Sequence, residues 1–189
     1  MAIDPALILR AVGTGLLFGA SAGLAPGPLL ALVVAESVRG GTGRGIRVAA
    51  APLLTDTPIV IGSVLLVGAL AGGTGLLLGA VALAGSLFVL HLARETWTTA
   101  GIPEPGASGS ANPWLRGMAV NLLSPHPYLF WLTVGAPTVV AVAAGGAAPV
   151  AAFLIAFGVA SFVHVAFLSY VVAGLAIAAG ALMLMNKSN

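Results

Sequence analysis

The chain has 189 residues, of which 59% are hydrophobic and 6% charged, and its mean hydropathy is +1.11. Soluble domains carry about 25% charged residues, so this composition indicates an integral membrane protein. A net charge of +2 on so few charged side chains cannot bind a polyanion, which excludes nucleic acid as a partner. Cysteine is absent, so the chain can form neither a disulfide nor a thiolate metal site.

Long apolar stretches predict membrane-spanning helices, because a span needs roughly 20 apolar residues at about 1.5 Å each. The first five predicted spans are Ala6–Glu36, Ile46–Ala71, Leu76–Glu95, Trp114–Ala143 and Ala147–Tyr170. The segment Val171–Met185 that follows is either a short sixth span after a turn near Gly174 or a continuation of the fifth. The predicted fold is an all-α integral membrane bundle of about six transmembrane helices.

Basic residues predict the orientation of this bundle. Arg39, Arg44 and Arg47 surround the connection between the first two spans, whereas the connections at 72–75 and 144–148 carry no charge. By the positive-inside rule, the first connection is cytoplasmic and the N-terminus lies outside.

A segment rich in proline and glycine at 97–113 is predicted to be a cytoplasmic linker between two halves. The first half, 1–96, is predicted to be a three-helix repeat, and the second, 114–189, a shortened repeat of two or three helices. With three helices per half, related repeats have opposite topology, an arrangement in which transporters place a site at the midplane.

Two proline motifs break the first and fourth predicted spans. Proline lacks the amide hydrogen, so Pro26 and Pro28 free the carbonyls of Ala22 and Leu24, and the second motif frees carbonyls in the same way. Freed carbonyls suit an ammonium group, and the amides of the helix that follows suit a carboxylate. We therefore predict a site for a zwitterion, with these substrate-binding residues: Pro26, Gly27, Pro28, Asn121, Pro125, His126 and Pro127.

Asp56 lies within the second predicted span, about 15 Å along the helix from Ile46 and so near the middle of the bilayer. Placing a charge at this depth costs at least about 2.5 kcal/mol of insertion free energy, so Asp56 is a functional candidate by default. It could hold a proton and a cationic group in turn, which makes it the predicted proton-coupling residue. Pro58 is predicted to add a third break beside it. The alternative is a structural aspartate bonded to the neighbouring hydroxyls.

Glycines and histidines complete the set of candidates. Gly15, Gly19 and Gly23 lie on one helix face and predict close packing against a neighbouring helix. His126 and His164 could join Asp56 as ligands of a divalent metal, which is the alternative to a site without metal.

Four features together resemble the LysE/RhtB-type amino-acid exporters: Gly23-Leu24-Ala25-Pro26-Gly27-Pro28, the basic glycine turn 39–45, the intramembrane Asp56, and Asn121-Leu122-Leu123-Ser124-Pro125. The resemblance covers about residues 10 to 140. It implies six helices, proton-driven amino-acid efflux and homo-oligomers in the bacterial inner membrane. Family members commonly have a lysine after the second-half proline, where this chain has His126.

The leading hypothesis is a secondary transporter that exports amino acids or similar small zwitterions by proton antiport, with membrane lipid as its surroundings. The alternatives are divalent-metal efflux and a membrane scaffold that transports nothing. The chain has no Gly-x-Ser-x-Gly or His-Glu-x-x-His pattern, so we expect no enzyme activity and no cofactor.

Overall fold

The computed structural model describes residues 4–71, Leu83 and residues 112–187, and these described residues are helical apart from short connections. The predicted all-α fold is confirmed. The predicted third span, apart from Leu83, and nearly all of the predicted linker lie outside the described residues. The helices are α1 (Pro5–Leu24), α2 (Pro28–Gly40), α3 (Thr42–Ala49), α4 (Pro52–Ala71), α5 (Pro113–Leu123), α6 (Pro125–Phe130), a π-helical turn (Trp131–Gly135), α7 (Ala136–Ala143) and α8 (Ala147–Lys187).

Four helical stretches among the described residues are long and apolar enough to cross a membrane. The structure thus agrees with a membrane-spanning bundle. They are Pro5–Leu24, Thr42–Leu70, Pro125–Ala143 and Ala147–Asn186.

The last helix, α8, is continuous over 41 residues. At 1.5 Å per residue it is about 60 Å long, roughly twice the thickness of the hydrocarbon core. The turn expected near Gly174 does not form, so a separate sixth helix at Val171–Met185 is wrong and the alternative, a continuation of the fifth, is what the structure shows. Gly174 and Gly180 by themselves do not end a helix in so apolar a sequence.

A second prediction also fails: α4 runs without interruption through Pro58. A proline removes one hydrogen bond, and a helix can continue past that loss where its neighbours hold it in place. Asp56 is therefore displayed by a continuous helix and not by a third break.

The first and last helices pack side by side in parallel. A Cβ added at Gly15, Gly19 or Gly23 would overlap the backbone of Phe153, Phe157 or Ser161, respectively. Only glycine allows the backbones to come so close, and the successive pairs run in the same direction along both helices. This seam, formed by the three glycines and α8, fixes α1 in place.

The two broken segments, α1–α2 and α5–α7, run in opposite directions. Gly145, just after α7, lies against Leu7 of α1, and Arg116 of α5 binds Glu36 of α2. We call these the Leu7 end and the Glu36 end of the molecule. The opposed directions are those that inverted repeats require, and the common origin of the two halves stays a prediction.

Candidate functional site

The first break separates α1 from α2 at residues 25–27. Ala25 and Gly27 are both extended, and α2 begins at Pro28, where a proline needs no hydrogen-bond acceptor. The amide of Ala25 donates to the Ala22 carbonyl at 3.3 Å. The prediction that Pro26 leaves this carbonyl free is therefore wrong: the chain turns at the break and supplies a closer donor.

The second break is shorter and consists of Ser124 alone. Its backbone is extended, α6 begins at Pro125, and the Ser124 hydroxyl accepts a hydrogen bond from the His126 amide at 3.4 Å. The hydroxyl of Tyr128 donates to the Leu122 carbonyl at 2.7 Å, so one carbonyl on the α5 side is also satisfied. Both helix breaks that the proline motifs predict are present.

Asp56 is joined to the second half of the chain by Asn121. The Asn121 side-chain amide donates to Asp56 Oδ1 and to Thr55 Oγ1, each at 2.7 Å. An amide nitrogen carries two hydrogens, so both are used. Asn121 is buried and sits two residues before the end of α5, which brings the second break close to Asp56.

The neighbouring hydroxyls do not hold Asp56. Thr55 donates to the Ala51 carbonyl at 3.1 Å, and Thr57 to the Leu53 carbonyl at 3.4 Å. Both threonines thus bond within their own helix. The alternative in which these hydroxyls fix a purely structural aspartate is not what the structure shows, because the donor is an amide from another helix.

Trp131 forms a further wall beside Asp56. It is 2% exposed, opens the π-helical turn, and packs its ring against Gly135. Its indole lies beside the Asp56 carboxylate, and His126 lies nearby. π-helical turns in α-helices are frequent at functional sites.

These elements enclose a cavity of about 80 Å³. Of the predicted site residues, Asp56 lines it together with Gly27, Pro28, Asn121, His126 and Pro127. Pro26 and Pro125 shape the breaks without lining the cavity. The other lining residues are Ala22, Gly23, Ala25, Leu29, Leu30, Ala49, Pro52, Ser124, Phe130, Trp131, Phe157, Ser161 and Val165.

His164 does not reach the cavity. Its Nδ1 lies 2.7 Å from the Ala160 carbonyl, one turn back in α8. Among the residues that the structure describes, no three histidine or acidic side chains come together as a metal-binding group. The alternative ligand set of Asp56, His126 and His164 is therefore not assembled.

Apolar clusters flank the cavity at both ends. Toward the Leu7 end, Phe130 stacks on Phe157 at 5.2 Å between ring centroids, and Trp131 meets Phe157 edge-on at 4.9 Å. Toward the Glu36 end, Val33, Val48 and Val165 pack together. The cavity thus lies between an aromatic cluster and an aliphatic one.

Sequence reasoning missed Trp131, Phe157 and Ser161, and it assigned Asn121 to substrate and not to Asp56. The adjacent aromatics Phe130 and Trp131, directly after the second proline motif, were the one available signal. Phe157 and Ser161 belong to the α8 face that packs on Gly19 and Gly23, which no local pattern pairs with the breaks.

A cavity that contains an acidic group and lies between oppositely directed broken helices is typical of membrane transporters. The family described as LysE type translocator matches residues 20–185. The chain belongs to this family, and it is therefore a membrane transport protein. No curated protein and no solved structure matches the chain.

Proposed function

We propose that this protein exports amino acids or similar small zwitterions from the cell in exchange for protons. The observation that carries the proposal is the position of Asp56, which Asn121 holds at the wall of a cavity between two helix breaks. Membership of a translocator family supports transport, and the residues that line the cavity support the kind of cargo.

The cargo is proposed from the groups that line the cavity. Asp56 offers a negative charge to an ammonium group, and Trp131 and Phe157 offer aromatic rings, which also attract cations. No lysine or arginine is among the lining residues that the structure describes. The carboxylate of the cargo would instead meet the amides of the first turn of α2, near Gly27–Leu30.

The cavity beside Asp56 sets no narrow limit on the size of the cargo. A second space of about 410 Å³ adjoins it on the side of Leu53 and Ile155 and shares Asp56, Trp131 and Phe157 with it. A cargo bound at Asp56 could therefore extend beyond the cavity of about 80 Å³.

Coupling follows from competition for one carboxylate. Asp56 binds either a proton or the ammonium group of the cargo, so outward passage of cargo is matched by inward return of a proton. Arg39, Arg44, Arg47 and Arg116 all belong to the Glu36 end, which the positive-inside rule places in the cytoplasm. The N-terminus would then lie on the outer side of the membrane. We further propose that the protein resides in a bacterial inner membrane and forms homo-oligomers there.

The test is amino-acid transport in proteoliposomes under an imposed pH gradient. We expect Asp56→Asn to lower gradient-driven transport by about hundredfold, because its amide can take neither a proton nor an ammonium charge. Asp4→Asn, which removes the same charge from an exposed helix cap, should transport normally. Undiminished coupled transport by Asp56→Asn would contradict the proposal, and a wild-type protein that moves no solute would favour the scaffold alternative.

A further inference from the structure

We propose that Glu36, Arg44 and Arg116 form an ionic latch that keeps the cavity shut at the Glu36 end, and that opening this end requires the latch to break. This inference rests on the proposed transport function, because a latch matters only where access to the cavity from one end must alternate. It concerns residues that do not touch the cavity.

The latch joins three helices through one buried carboxylate. The side chain of Glu36, on α2, is 1% exposed. Arg44 of α3 donates from Nε to Oε2 at 2.7 Å, and Arg116 of α5 donates from Nη1 to Oε1. Each carboxylate oxygen thus holds a different helix, and charge-assisted bonds of this kind are the strong ones.

The latch lies directly beyond the aliphatic cluster at this end of the cavity. Val33 and Val48 are fully buried, and Val165 both belongs to this cluster and lines the cavity. Val33 is on α2, one turn before Glu36, and Val48 is on α3, one turn after Arg44. Movement of α2 and α3 away from α8 would separate this cluster and open a path for water from the Glu36 end.

Helix breaks adjoin two of the latched helices on the cavity side. The first break directly precedes α2, and α5 ends at the second break, Ser124. Non-helical residues at element ends are where hinge motions are absorbed. By contrast, α1 is fixed to α8 by the glycine seam. The tips of α2 and α5 are therefore the parts able to swing while the seam stays in place.

One neutral contact lies at the same level and would open with the latch. The hydroxyls of Ser37 and Ser169 are 2.8 Å apart and join α2 to α8. Ser37 also donates to the Val33 carbonyl at 2.6 Å, so its hydroxyl keeps a partner when α2 leaves α8. The ionic contacts differ in this respect: an opened Glu36 must be rehydrated or find another cation.

Charge determines what happens when Glu36 is neutralised. One carboxylate with two arginines leaves a net charge of +1, and Glu36→Gln leaves two guanidinium groups facing each other without an anion. The contact at this end then loses the attraction between Glu36 and the two arginines and gains repulsion between the arginines themselves. The open form should then be more populated.

The experiment uses a single introduced cysteine, because the chain has none of its own. Val165→Cys places a thiol on the cavity side of the aliphatic cluster. Its rate of labelling by a membrane-impermeant maleimide, added from one side of oriented vesicles, reports opening at that side. We expect Glu36→Gln to raise this rate about tenfold from the Glu36 side and not from the other. Asp4→Asn is the matched control and should leave the rate unchanged.

Arg116→Gln is a milder second variant, because Arg116 is partly exposed. Arg116→Gln should also raise the labelling rate. The double variant with Glu36→Gln should label more slowly than the summed free-energy effects of the two single variants predict, since both substitutions break the same contact. Size-exclusion profiles establish that each variant is folded. Unchanged labelling in folded Glu36→Gln and Arg116→Gln, or an equal rise in Asp4→Asn, would overturn the latch. No substrate is needed, so this result is separate from whether the protein exports amino acids.

Discussion

Glu36 and Asp56 are both carboxylates inside the bundle, but they are held in different ways. Two arginines neutralise Glu36 from two other helices, while Asp56 receives an uncharged donor from Asn121. In the part of the chain that the structure describes, no salt bridge involves Asp56. A carboxylate that is already neutralised joins helices together, whereas one without a counter-ion is available to a proton or a cationic cargo. The partners of each acid, more than its depth, indicate its role.

The largest effect on stability should come from Glu36→Gln. Removing one member of a buried ion pair leaves its partners without a counter-charge, and we expect the free energy of unfolding to fall by about 2 to 3 kcal/mol. The partial exposure of both arginines keeps the loss below that of a fully buried pair. Heat-induced unfolding in detergent measures it, and an unfolding midpoint equal to that of the wild type would remove the contrast with Asp56.

Asn121→Leu should have the next largest effect. Leucine has the same branching and the same number of side-chain heavy atoms but donates no hydrogen bond, so Asp56 and Thr55 both lose a donor, and we expect a loss of about 1.5 to 2 kcal/mol. In a chain that already carries Asp56→Asn the same change should cost less, because the bond is then no longer charge-assisted. Equal losses in the two backgrounds would show that Asn121 stabilises the fold independently of Asp56.

Much of this site could be predicted from the sequence because its causes are local. A proline ring breaks a helix wherever it stands in the right register, so both breaks could be located, and an aspartate in an apolar span stands out at once. Local reasoning could not find the hydrogen bond Asn121–Asp56 or the ion pair Glu36–Arg116, since these join residues 65 and 80 positions apart. Pro58 shows the limit of the local rule: neighbouring helices kept α4 intact.

Trp131→Phe should have a smaller effect, on transport and not on folding. Phenylalanine keeps an aromatic wall but removes the indole N–H from the neighbourhood of Asp56, so the apparent affinity for cargo should weaken by about three- to tenfold. Trp114→Phe, a half-buried tryptophan at the start of α5 that is not among the cavity-lining residues, is the matched control. Transport titrations separate a change in KM from a change in maximal rate, and equal effects of both substitutions would assign Trp131 to packing alone.

The smallest effect should be that of Asp56→Asn on stability. No counter-ion is lost and a costly buried charge is removed, so the free energy of unfolding should stay within about 0.5 kcal/mol of the wild-type value or rise. A large loss would mean that the Asp56 carboxylate holds the fold together, as the Glu36 carboxylate does. The two acids would then no longer differ in kind.

The π-helical turn at Trp131–Gly135 amounts to an α-helix with one residue inserted. The turn takes up this extra residue locally, whereas a residue removed from the regular helix on either side would rotate whatever follows by about 100° against whatever precedes it. A helix shortened in that way would still cross the bilayer, yet it could not keep both Trp131 beside the carboxylate and Val139 in its cluster with Phe153 and Phe157. In this part of the molecule, an insertion or deletion would change cargo selectivity more abruptly than any exchange of one side chain for another.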